Sequence, residues 1–416
     1  THEDYFRMRA FFEPMGVRQD RVPGQPDPPP YPPYVYSGSR TAVRIGMVRI
    51  FDEKPDAKTW LYTGGDERNK DKERGSITAG VPAFLEELFP EIKPIVTEYQ
   101  QHRLTCPCCG ITTCASLPAG VPNSQSGPRL VAFTGLLMGH FRQSKRRASL
   151  FLQDLLKMPC CPSLTVKMQN QVAAAIQIPY EQLKGELGSQ DQLFMDESPT
   201  KQANQKAWLW TAVAPLFAVF AIFASRKGDA LPKLLGDSFT GIINCDRAKM
   251  YWQAKRLQWC WAHLKRDFQA LIDHPDKQVQ RLGHDLMRQT KLVFQYWKPY
   301  KKGEIRWRTF RRYMSPVRDE INALLLRGEF SCNKRLIGMC SELHKHHQWL
   351  WTFVDVEGIE PTNNTAERAL RPAVIYRKLS FGTQSETGSR FLERMLTVSE
   401  TCRLQNRSVY DYLTEA

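Results

Sequence analysis

The stretch 192–225, QLFMDESPTKQANQKAWLWTAVAPLFAVFAIFAS, decides the architecture. Its opening, Gln192 to Asp196, is an apolar strand that ends in a carboxylate. Its second half, Ala207 to Ser225, carries no charge and is flanked by Lys206 and Arg226, and about 20 apolar residues are enough to cross a bilayer. Pro215 at the centre and the density of Trp, Val, Phe and Ile favour another reading, two buried strands joined by a tight turn. Downstream, GIINCD at 241–246 repeats the first design: a short apolar strand that closes on an acid, Asp246.

Carboxylates at the ends of neighbouring strands can share cations. Two hard cations about 3.5–4 Å apart stabilise both the attacking and the leaving oxygen of a phosphoryl displacement. Such a site needs a third acid, and Glu367 is the candidate, in NNTAER at 363–368 on the first turn of a helix. The same residues carry a plainer reading. Asn364 and Glu367 match a capping box, in which the carboxylate satisfies a helix-terminal N–H, and an Asp at a strand end is commonly a turn residue. From spacing alone both readings stay open.

With 416 residues the chain is expected to form two or three folding units, and 42% hydrophobic residues with 10 Trp can bury substantial cores. A net charge of +15 favours a polyanionic partner, without separating nucleic acid from an anionic membrane. The cysteines are uneven, with Cys106, Cys108, Cys109 and Cys114 close together and Cys160 beside Cys161, a pattern that reads as reduced and intracellular. No signal peptide is visible, but the chain opens on Thr1 without a methionine, so a start further upstream is expected.

Texture divides the rest. Residues 1–85 form a front segment in which PGQPDPPPYPPY at 23–34 reads as an extended linker, 42–52 as a strand and 62–72 as a charged loop. A small cysteine-containing module occupies 86–116 and a basic helical region 117–190. Strands and turns dominate 191–262, helices 263–351, and 352–416 is a compact closing segment.

Long matching passages place residues 86–416 in a family. LTCPCCG at 104–110, SLPAGVP at 116–122, GPRL at 127–130, SKRRAS at 144–149, MDES at 195–198, CDRAKMY at 245–251, WCWAHLKRDF at 259–268 and NNTAERALRPAVIYRKLSFGTQSETGSRFLERMLTV at 363–398 resemble the insertion-sequence sixty-six transposases of TnpC type. The resemblance implies an α/β, ribonuclease-H-like mixed sheet with an all-helical insertion, preceded by the helical region and the cysteine module. It implies Asp196, Asp246 and Glu367 as catalytic acids holding two Mg2+ or Mn2+ ions, for strand cleavage and strand transfer at element ends. Implied partners are double-stranded DNA at those ends and at the target, further copies of the chain on DNA, and helper proteins of the element. The expected setting is the cytoplasm and nucleoid, without a membrane.

Candidate phosphate contacts are Arg142, Lys145, Arg146 and Arg147 in the helical region, Arg368, Arg371, Arg377 and Lys378 after the glutamate, and Arg306, Arg308, Arg311 and Arg312 in the insertion. A charge run is equally a solvated face. Pro372 is expected to end or kink the helix after Glu367. His263 either approaches the acids or is a packed structural histidine.

Cys106 and Cys109 form a C-x-x-C pair followed by Gly110, half of a Zn2+ module, whereas the family supplies a second pair upstream and here no cysteine precedes Cys106. GMVRIFDEKPDAKTWLYTGGDERN and GVPAFL in the front segment resemble part of planctomycete-type proteins with cytochrome-c-like domains, though the chain lacks a C-x-x-C-H haem site. A fusion with its junction near Phe84 to Pro90 is therefore expected, and the alternative to an active transposase is a relic that binds DNA without productive transposition.

Overall fold

The computed structural model describes residues 94–121 and 124–416, and before them only four short strands, Met15–Arg18 paired antiparallel with Arg49–Asp52 and Thr59–Trp60 with Ser76–Ile77. The strand expected within 42–52 is present in part. The proline-rich linker, the charged loop and the junction expected near Phe84 to Pro90 lie outside the described residues. The chain divides into two units, Thr1–Ile95 and Val96–Ala416, and the second carries all that follows.

Its centre is a five-stranded sheet of order β5-β4-β1-β2-β3, built from β1 (Gln192–Gln202), β2 (Gln205–Val213), β3 (Ala218–Phe223), β4 (Ile242–Cys245) and β5 (Leu257–Trp259). The first three strands are an antiparallel meander, and β4 and β5 run parallel to β1. The β1–β2 turn is Ala203-Asn204, both at positive φ (48° and 62°), the conformation that matches the twist of a two-residue hairpin. Pro215 sits in the β2–β3 turn, closed by the Ala214 N–H donating to the Phe217 carbonyl at 2.8 Å. The uncharged stretch 207–225 is thus two strands, and no described helix is long and apolar enough to cross a membrane.

Alternation of side chains across the pleat gives the sheet two apolar faces. Met195, Trp210, Ala212, Val219 and Ile243 face the helices that follow β5, and Leu209, Val213, Phe220 and Ile222 face the C-terminal helices. The former helices are α6 (Trp261–Ile272), α7 (Lys277–Lys301), α8 (Trp307–Glu329), α9 (Lys334–Lys345) and α10 (Gln348–Asp355). Phe268, Trp297, Phe310 and Trp351 join them to the sheet in one continuous core. On the other face lie α11 (Asn364–Ser380) and α12 (Glu386–Leu404), followed by α13 (Val409–Glu415).

The basic helical region, α1 (Pro128–Gly139), α2 (Lys145–Leu156), α3 (Pro162–Ala175) and α4 (Gln177–Gly185), packs on α12 and α13 through Ala132, Val172, Phe391, Met395 and Leu413. Between β3 and β4 lies the short α5 (Ala230–Leu235). At Gly139 a Cβ would stand 2.8–2.9 Å from Met395, so this glycine sets how closely α1 approaches α12.

Strand β3 is an edge, and an uncovered edge exposes a row of N–H groups to wrong partners. Here α12 covers it. Glu393, Thr397 and Thr401, spaced i, i+4, i+8 on one helix face, accept from the backbone N–H groups of Ile222 (2.5 Å), Phe220 (3.0 Å) and Ala218 (3.2 Å). Burial pushes the Glu393 carboxyl up to about 7, despite the Ile222 N–H and Arg390 beside it. Thr397→Val keeps the shape and removes the acceptor, leaving the buried Phe220 N–H unsatisfied. It should cost about 1–3 kcal/mol, read as a lower urea midpoint at unchanged slope. A midpoint equal to the parent's would show that α12 does not hold this edge.

Candidate active site

The parallel ladder of β1 and β4 covers Gln192–Phe194 against Ile242–Asn244. Beyond Phe194 the two strands part, and the acids lie where they separate. Asp246 directly follows Cys245, the last residue of β4, and its Oδ1 accepts from the Ala248 N–H at 2.9 Å. Asp196 does not end its strand, as the sequence suggested: β1 continues to Gln202 because β2 pairs with it throughout, with Asp196 opposite Thr211. Asp196 Oδ1 accepts from the Glu197 N–H at 2.9 Å. Its carboxyl is pushed up to about 7, first by burial and then by the negative charges of Glu197, Asp246 and Glu367.

Glu367 reaches this place through hydrogen bonds that begin four residues earlier. Buried Asn363 donates its side-chain amide to the Met195 carbonyl at 2.7 Å and its backbone N–H to Cys260 Sγ at 3.1 Å. Asn244 of β4 donates to the Glu360 carbonyl at 2.6 Å and accepts from Gln192 of β1 at 2.9 Å. The Trp261 N–H donates to the Pro361 carbonyl at 2.9 Å. The segment entering α11 is therefore tied to β1, to β4 and to the residues after β5.

The capping box that was the plainer of the two readings of Asn364 and Glu367 does not form. The cap residue is Asn363, whose backbone N–H donates to Cys260 Sγ, so Glu367 does not serve the helix terminus. Its Oε1 is buried without a hydrogen-bond partner, 3.5 Å from His263 Nδ1 and 3.7 Å from the Arg266 guanidinium. Pro372 does not end α11, which runs on to Ser380: Ala369, Leu370 and Ala373 pack on the sheet on both sides of the missing N–H. Asp196 is close enough to Asp246 and Glu367 to feel their charge. Among the described residues, however, the group whose ligand atoms all lie within 4.8 Å of one another is Cys260, His263 and Glu367, not the three acids. Glu367 leans toward α6, where His263 and Arg266 lie.

One neighbour of the candidate site carries no reading in the sequence analysis. Glu197 is buried beside Asp196, paired with Arg226 at 2.5 Å and accepting from the Tyr251 hydroxyl at 2.5 Å. Burial raises its pKa, with the Tyr251 and Arg226 contacts opposing. The adjacent acids of MDES were the available signal. His263, left between two readings, stands beside Glu367, and burial lowers its pKa.

The basic candidates separate. Lys145, Arg146, Arg147, Arg368, Arg371 and Lys378 are exposed, as are Arg306, Arg308, Arg311 and Arg312 in the insertion, while Arg142 is half-buried in the α1–α2 turn. Arg377 is engaged structurally, donating to Ser198 Oγ at 3.0 Å and to the Pro199 carbonyl, so it clamps α11 to β1. Cys106 and Cys109 lie in the turn of a hairpin, Arg103–Thr105 with Thr112–Cys114, where the Gly110 N–H donates to the Cys106 carbonyl at 2.9 Å. Backbone N–H groups of Cys109 and Cys108 lower the Cys106 pKa. Among the described residues, Cys106 and Cys109 do not belong to a group of three ligands whose atoms all lie within 4.8 Å of one another.

The uncharacterized protein y4qI of Sinorhizobium fredii (strain NBRC 101917 / NGR234) is 22% identical to this chain over 307 residues, 65% of the chain and 55% of that protein, so the chain spans little more than half the length of this curated relative. A family profile described as "Transposase IS66 family" matches residues 124–390, more than half of the chain and a span that contains Asp196, Asp246 and Glu367. With that coverage, the chain belongs to the IS66 transposase family.

Proposed function

We propose that this chain is a DNA transposase in which Asp196, Asp246 and Glu367 hold divalent cations for strand cleavage and strand transfer. The observation that carries the reading is the tie between Asn363 and the Met195 carbonyl, which brings Glu367, whose Oε1 has no hydrogen-bond partner, toward the point where β1 and β4 part. An antiparallel meander followed by two parallel strands, in the order β5-β4-β1-β2-β3, supports a ribonuclease-H-like core. The donors suit a hard cation: all are carboxylate oxygens, and Asp196 sits among negative charges that a cation would offset.

Bound between these acids, Mg2+ or Mn2+ would supply Lewis-acid polarisation of the phosphodiester and activation of the attacking hydroxyl or water. The chain's own residues position. The Ala248 and Glu197 N–H groups fix one oxygen each of Asp246 and Asp196 and leave the other for a ligand. Exposed Arg368 and Arg371 on α11 stand ready for DNA phosphates, and Lys145, Arg146 and Arg147 at the start of α2 extend the basic surface. A second reading, a relic that binds DNA without completing transposition, is favoured by the incomplete cysteine turn.

Three outcomes test the proposal. Asp246→Ala and Glu367→Ala should each abolish Mg2+-dependent cleavage of element-end DNA while DNA binding persists, and retained cleavage in Asp246→Ala would refute the mechanism. Because the Asp196 carboxyl is pushed up to about 7, a cation must displace its proton, so Mn2+ affinity measured by calorimetry should rise with pH until about 7 and then level off. In Asp196→Asn that dependence should vanish; an unchanged profile there would assign the titration elsewhere. DNA affinity should fall steeply with salt, with a log–log slope near −0.9 for each phosphate neutralised. Replacing Arg146 and Arg147 by Gln should flatten it by about one unit for each phosphate left without its arginine. A parent slope near zero would mean that the basic excess is ordinary surface.

A further inference from the structure

Glu367 faces two sets of possible partners, and those on the side of α6 are not acids. Cys260 is the cap residue of α6 and His263 stands three positions on, a C-x-x-H pair whose side chains share one side of the helix start. Sγ of Cys260, a ring nitrogen of His263 and a carboxylate oxygen of Glu367 all lie within 4.8 Å of one another. The edge of 3.5 Å between His263 Nδ1 and Glu367 Oε1 matches the roughly 3.4 Å edge of a tetrahedron with metal–ligand bonds of about 2.1 Å.

A second observation points to a ligand here. Two buried polar atoms of this group, His263 Nδ1 and Glu367 Oε1, lack a hydrogen-bond partner. Unpartnered buried polar atoms are rare and call for an explanation such as an ion. The Asn363 N–H, donating to Cys260 Sγ at 3.1 Å, holds the sulfur toward the group. Arg266 is the competing cation, but its side chain is 66% exposed and free to swing into solvent.

We propose that Cys260, His263 and Glu367 form a soft-cation site for Zn2+, separate in chemistry from the all-oxygen site of Asp196 and Asp246 and sharing only Glu367 with it. A sulfur–nitrogen–oxygen set selects Zn2+ over Mg2+, which prefers oxygen ligands throughout. Three protein ligands leave a fourth position for water. The binding site stands whether or not the chain is a transposase; only its consequence rests on that reading. A glutamate held by Zn2+ is withdrawn from the acids, so Zn2+ acts as an inhibitory ligand and not as a substitute cofactor.

Co2+ is the probe, because thiolate ligation gives a sulfur-to-metal charge-transfer band. The test uses the full chain carrying Cys106→Ser, Cys108→Ser, Cys109→Ser and Cys114→Ser, so that the hairpin cannot contribute. One Co2+ per chain should bind with that band, and Zn2+ should displace it. Cys260→Ser should abolish the band, and His263→Gln, at a half-exposed position, should weaken Co2+ binding about tenfold or more with the melting temperature retained. No band in the parent background, or a band untouched by both substitutions in folded protein, would overturn the site. Zn2+ should also suppress Mg2+-supported cleavage in the same background. Binding without suppression would overturn the inhibitory role, and absence of cleavage in Mg2+ alone would count against the transposase reading while leaving the zinc site intact.

Discussion

The hydrogen bond from the Asn363 side chain to the Met195 carbonyl is the constraint on which the rest of the arrangement depends. Met195 immediately precedes Asp196, and Asn363 immediately precedes α11, so this bond joins two segments that lie 168 residues apart in sequence. Between them the chain completes the sheet and threads six helices, α5 to α10. Asn244, bonded both to Gln192 and to the Glu360 carbonyl, repeats the tie one strand over. Such buried polar groups are costly unless every member is paired. Their hydrogen bonds fix one register for the return of the chain, and bring Glu367 near enough for Asp196 to feel its charge.

That placement sets an electrostatic conflict. Asp196 and Glu197 are neighbours in a strand, both largely buried, with Asp246 and Glu367 close by. Alternation sends them to opposite faces, and the fold treats them differently. Glu197 receives Arg226 and the Tyr251 hydroxyl and so becomes part of the scaffold. Asp196 receives one backbone N–H and no cation, and burial raises its pKa. Perturbed carboxyls gathered at one end of a sheet are characteristic of functional sites, because a purely structural acid is better served by a permanent partner.

Much of the sheet was legible in the sequence. The apolar runs before Asp196 and Asp246, and Pro215 between two uncharged β-rich stretches, report strands through local chemistry alone. The polar run ESPTKQ after Asp196 does not; it is a strand because β2 pairs with it, and tertiary context overrides its weak propensity. The capping-box reading gives way for a related reason: the cap falls on Asn363, whose backbone N–H donates to Cys260 Sγ across the fold and not to Glu367. Glu197 could not be read as buried, because its partners lie 29 and 54 residues away. The stripe Glu393, Thr397 and Thr401 likewise has its meaning only opposite the edge of β3. For the candidate site, the three acids are implied by resemblance more than by spacing, and the two readings of His263 separate only through its 3.5 Å distance from Glu367.

The central claim, that the Asn363 tie assembles a shared cation site from Asp196, Asp246 and Glu367, is tested most directly by a crystal structure of the protein with Mn2+, using the metal's anomalous signal. The account predicts manganese bound by oxygens of Asp196 and Asp246, with Glu367 facing the same site and Asn363 still bonded to the Met195 carbonyl. Manganese absent from these acids, or Glu367 directed away from them with the Asn363 bond broken, would contradict it.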